Sequence, residues 1–229
     1  MDAGAATPPA RLWQQMRADP QYAPEHLALE AVRRIGPSAR AWADDTRANH
    51  PGIHPDQLAQ LAVKRFTQHA RLSGAMSGAA GLPGAVLDVG VLAWTQARMV
   101  LHVAAAYGVD PIDPGRAIDL LVLQKVHKVA ESARLALGVA AGRERASVLF
   151  DRVGDAAPLG RVMLTLGVKL AQMAGVRAAR RVVAKIIPGA SIVLGTWANS
   201  AATTDLARRA VAHYRNPALP PPPHRRLPA

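Results

Sequence analysis

A chain of 229 residues, 50% hydrophobic but only 4% aromatic, is long enough to bury a core and must build it from small side chains. The near absence of alternating β-branched runs makes it all-α, and the absence of cysteine excludes a disulfide framework and a thiolate metal site. The formal charge of +12 sits in the C-terminal half: residues 1–133 hold 13 Lys and Arg against 12 Asp and Glu, whereas residues 134–229 hold 15 against 4, so that half attracts anions.

Residues 1–10 and the tail 216–229, "NPALPPPPHRRLPA", are Pro-rich without periodicity and are expected to be disordered or extended. No apolar stretch in "MDAGAATPPARLWQQ" resembles a signal peptide, so a cytoplasmic location is expected. Between these ends, residues 11–215 read as one helical domain. An amphipathic helix is predicted from Pro24 to His50, with Leu27, Val32, Ile35 and Trp42 as apolar points, and Pro37 should break or kink it. "HPGIHPD" is a loop, and Pro55 opens the next helix, through Leu58, Ala62 and Phe66. The glycine-spaced link "SGAMSGAAGLPG" leads to an apolar helix from Pro83 to about Tyr107. Pro114 is placed to start another helix, expected to run to about Leu137, with a Gly-rich step and a short helix near Arg145–Val153 after it. A long helix over Leu159–Ile186 is interrupted by Pro188 and Gly189, and a last one runs from about Ser191 to Tyr214. The expected architecture is a single bundle of seven or eight helices with two Pro/Gly-broken apolar hairpins.

The apolar helix after Pro83 is long enough to approach a membrane span, yet it carries Asp88, Thr95, Gln96, Arg98 and His102. At about 100° per residue, Thr95, His102 and Arg98 fall to one side of Asp88 and Gln96 to the other. A charge at bilayer depth costs about 2.5–3.5 kcal/mol, so this stripe is expected to face the bundle interior or a pocket within it. Asp88 and Arg98 are too far apart to pair along one helix. Each needs a partner on another helix, with Lys185 a candidate for Asp88.

On Leu159–Ile186, Arg161, Lys169 and Arg180 share a face opposite much of Val162, Leu166, Leu170 and Met173, and no acid falls between Ala156 and Thr204. The uncharged stretch 186–204 follows the basic "RAARRVVAK". Such a pattern predicts attachment to an anionic membrane surface through Arg161, Lys169, Arg177, Arg180 and Arg181; a solvated basic face is the plainer alternative.

Catalytic and metal-binding constellations are poor, and no catalytic, cofactor-binding or metal residue is assigned. His127 and Glu131 are spaced i,i+4 on an expected helix, but two ligands do not make a metal site. "DDTRAN" is similar to the Mg²⁺-diphosphate motif of all-α prenyl-transfer enzymes, yet Ala48 stands where its second acid belongs; the enzyme alternative requires Asp44 and Asp45 to face a cavity. Nucleic acid is disfavoured as a partner because the basic residues alternate with Ala and Val rather than with aromatics.

Two separated blocks carry a family resemblance. "AAGLPGAVLDVGVLAWTQARMVLHVAAAYGVD" and "KIIPGASIVLGTWANSAATTDLARRAVAHY" resemble, in order, the signatures of the bacterial EcsC protein family over roughly residues 60–215. The matching positions are Asp88, Gln96, Arg98, Tyr107, Lys185, Pro188, Gly195 and Asn199, which adds Asn199 to the candidate stripe. The shorter "IIPGAS" turn and the Pro-rich ends depart from the pattern. The resemblance implies a helical, often membrane-associated protein whose family namesake is encoded beside a membrane transporter, with no reaction or cofactor assigned; a membrane transporter or a hydrophobic ligand is the expected partner besides the anionic membrane.

Overall fold

The computed structural model describes residues 7–73, 81–149, 159–174 and 193–216. Among these residues there are eight α-helices, one 3-10 turn (Pro20–Tyr22) and no strand. The helices are α1 (Ala10–Ala18), α2 (Ala23–Asn49), α3 (Pro55–Ser73), α4 (Gly81–Ala106), α5 (Gly115–Leu123), α6 (Ala130–Leu149), α7 (Leu159–Ala174) and α8 (Val193–Arg215). The all-α expectation holds. The two expected apolar hairpins fall largely on residues 74–80 and 175–192, outside the described residues.

Local signals explain most helix ends. Pro55 starts α3 with Asp56 in its first turn, where proline costs no hydrogen bond and the carboxylate meets the positive end of the helix dipole. Gly108, at φ +76°, closes α4: Val109 N–H reaches Ala104 O at 3.0 Å and Gly108 N–H reaches Ala105 O at 3.0 Å. This pair of bonds is a Schellman cap, which places its C′ residue in the left-handed region.

α4 lies among α2, α3, α7 and α8 and is covered on nearly every side. Val86, Val89, Ala93, Ala97, Val100 and Ala104 are buried, whereas Leu87 is exposed, at 44%. Gly90 admits the Trp13 indole from α1; a Cβ there would overlap the ring. Val86–Ala106 is long and apolar enough to cross a membrane by length and composition, but it is mostly buried inside the bundle.

Three expectations are corrected. α2 continues through Pro37 without the break that proline could impose. Pro37 and Arg33, whose carbonyl loses its helical donor, are both exposed, so water can satisfy that carbonyl, while Ile35, Gly36 and Ala39 pin the buried side of the same turn. A Cβ on Gly36 would lie 2.6 Å from the Pro111 carbonyl oxygen, which makes this turn a close contact with the α4–α5 connection. The helix opened at Pro114 ends at Leu123 instead of Leu137, and α6 runs to Leu149 through Gly138 and Gly142 without a step. Finally, α1 occupies a stretch for which no element was anticipated, and α4 begins two residues before Pro83.

Candidate functional site

The polar residues of α4 are divided among several neighbours. His102, 4% exposed, stands between Trp42 of α2 (ring centroids 5.2 Å apart) and Phe66 of α3 (4.8 Å, edge-on). Its Nδ1–H donates to the Arg98 carbonyl at 2.7 Å, which places the proton of the neutral ring on Nδ1. Burial pushes the His102 imidazole down to about 4, and the Arg65 and Arg98 cations act in the same direction against the backbone hydrogen bond. Arg98 is half-buried, with its guanidinium 5.1 Å from the Phe66 ring centroid, a cation–π arrangement. This junction of α2, α3 and α4 is a packed knot of three rings and a guanidinium.

Further up α4, Gln96 Nε2 donates to Thr203 Oγ1 of α8 at 3.4 Å, both side chains being buried. Thr95 turns back to donate to the Val91 carbonyl at 2.9 Å. Asp88 is half-buried and engaged in a polar interaction. Thr95, Gln96 and His102 are thus buried, each with its own separate contacts. Lys185 lies outside the described residues, and Asn199 falls on α8.

Other ties hold the helix ends. Arg47 of α2 donates to Ala105 O at 2.8 Å and Ala106 O at 3.2 Å, a cation on the carbonyl end of α4. Arg209 of α8 does the same to Leu123 O of α5, at 3.0 Å. Tyr214 of α8 donates to Asp119 at 3.0 Å, and Arg116 reaches the same carboxylate at 2.7 Å. Burial first, then the Asp119 charge, pushes the Tyr214 phenol well up, so it stays a donor.

α7 divides as its sequence predicts. Leu166, Leu170 and Met173 are buried, whereas Arg161 is exposed and Lys169 partly so. Leu164 (48%) and Val168 (43%) are exposed on the same helix, where the sequence pattern places apolar residues in the core. Arg177, Arg180 and Arg181 lie outside the described residues.

Asp44 and Asp45 are both exposed on α2, with Asp44 beside Arg47 at 3.5 Å, whereas the prenyl-transfer alternative requires both to face a cavity. His127 sits in the turn after α5, facing buried Glu25 at 2.8 Å, while Glu131 pairs with Arg134. The expected i,i+4 pair does not form because no helix joins them. No cluster of three or more His, Asp or Glu that could hold a metal ion occurs among the described residues.

Residues 53–216, more than half of the chain, match the model of the EcsC protein family. No curated protein and no solved structure matches the chain.

Proposed function

The chain belongs to the EcsC protein family, and from that premise we propose that it is a helical accessory or binding protein held peripherally on the inner, cytoplasmic face of an anionic membrane. One observation carries this reading. Arg161, Leu164 and Val168 are spaced three and four on α7, so they share a face, and all three are exposed. Apolar side chains beside cations, with no neutralising acid between Ala156 and Thr204, suit the headgroup region of an anionic bilayer. α6 offers a second pair, Leu135 (65% exposed) and Val139 (43%), next to exposed Arg134.

Flotation with vesicles containing or lacking phosphatidylglycerol tests the proposal. Binding should require the anionic lipid and weaken with salt, since surface attraction is screened over about 8–10 Å. Replacing Arg177, Arg180 and Arg181 by Gln should release the protein, at about 1 kcal/mol per charge. Equal binding to both vesicles, or to neither, overturns the reading. Salt-sensitive DNA binding without lipid binding would replace it with nucleic-acid recognition.

A further inference from the structure

An open groove of about 640 Å³ runs between α3 and α8, a volume within the range of small-molecule sites. Its floor is apolar, formed by Val63, Ala207 and Val211, and Lys64, Arg208 and Arg215 stand among its walls without a single Asp or Glu. Lys64 has no ion-pair partner among the described residues. Arg208 gives Asp205 its Nη2 at 3.0 Å, and Arg215 gives Asp56 its Nε at 3.0 Å, each while about half or more exposed. Thr67 also stands among the lining residues, and its buried hydroxyl has no hydrogen-bond partner among the described residues.

We propose that this groove binds a single-chain amphiphile with an anionic head. The head meets Lys64 and Arg208, and the alkyl chain lies along Val63, Ala207 and Val211. A purely apolar ligand leaves the cations unused, and a small anion leaves the apolar floor wet. The chain's own tail, residues 217–229, complements the groove poorly because it carries Arg225 and Arg226 and no acid. None of the α7 residues assigned to the membrane lines the groove, so this inference and the proposed membrane attachment stand or fall separately.

Calorimetric titration of the full chain with dodecanoate, kept below its micelle concentration, tests it against dodecyl maltoside, dodecyltrimethylammonium and inorganic phosphate. Dodecanoate should bind saturably, and the other three at least about tenfold more weakly, the scale of one charge-assisted contact. Lys64→Glu should weaken dodecanoate by about tenfold or more while leaving vesicle flotation unchanged. Ala212→Trp, which adds bulk at an exposed wall position, should weaken it as well; if that variant fails to fold, Lys64→Glu decides alone. The inference is overturned by absence of saturable binding, by equal binding of the three dodecyl compounds, by phosphate matching dodecanoate, or by a Lys64→Glu variant that binds like the parent.

Discussion

Tyr107 donates its phenol to Asp56 Oδ1 at 2.6 Å, and Arg215 Nε reaches the same oxygen at 3.0 Å. One carboxylate thereby joins the start of α3, the residue just beyond α4 and the end of α8. The Tyr107 hydrogen bond is the main influence holding the Asp56 carboxyl below its ordinary range, with Arg215 adding to it. Because the folded-state value lies below the unfolded one, the stability this carboxylate contributes is complete above about pH 4 and is lost as pH falls through the folded value. Tyr107→Phe and Asp56→Asn should each lower the melting temperature at pH 7, and the double variant should lose less than the sum of the two. At pH 3 the gap between Tyr107→Phe and the parent should narrow. Strict additivity at pH 7 would show that the bond contributes nothing.

His102 makes a second pH-dependent prediction. Its imidazole titrates at about 4 in the fold and near 6.5 when unfolded, so the unfolded chain takes up the proton first. Stability from the neutral ring is full above about pH 6.5 and declines as pH falls toward 4, by about 3 kcal/mol over the window. His102→Leu should remove that part of the slope, at the cost of the hydrogen bond to Arg98 O. Urea unfolding of both proteins at pH 7, 5.5 and 4.5 checks this. Parallel pH profiles would mean that His102 is not the group responsible.

Lys125 occupies the left-handed region, at φ +60°, as the C′ residue of α5. Val126 N–H bonds Leu121 O at 2.9 Å and Lys125 N–H bonds Val122 O at 3.0 Å, the same cap that Gly108 provides for α4. A side chain in this conformation costs about 1–2 kcal/mol. Lys125→Gly should recover about 1 kcal/mol and raise the melting temperature by a few degrees. A lowered melting temperature would mean that the lysine makes interactions outweighing its backbone strain.

The burial of Thr95, Gln96 and His102 on α4 follows from local properties, because the period and polarity of an apolar helix turn such groups toward partners in the interior. Their partners were not legible. Thr203, Trp42 and Phe66 come from three other helices, and no pattern within one helix selects among them. The groove between α3 and α8 was not legible either, because Lys64 and Arg208 are 144 positions apart and only the packing of their helices brings them to one surface.

By itself, the sequence determined the all-α class, the family, the start of α3 at Pro55 and the close of α4 at Gly108, because each depends on groups within a turn or two of backbone. The tertiary structure decided that α2 continues through Pro37, that α5 stops at a lysine, and that His102 stays uncharged among Trp42, Phe66 and Arg98. Each of these outcomes sets a local backbone or charging cost against contacts made by residues distant in the chain. Only the packed structure brings those contacts together.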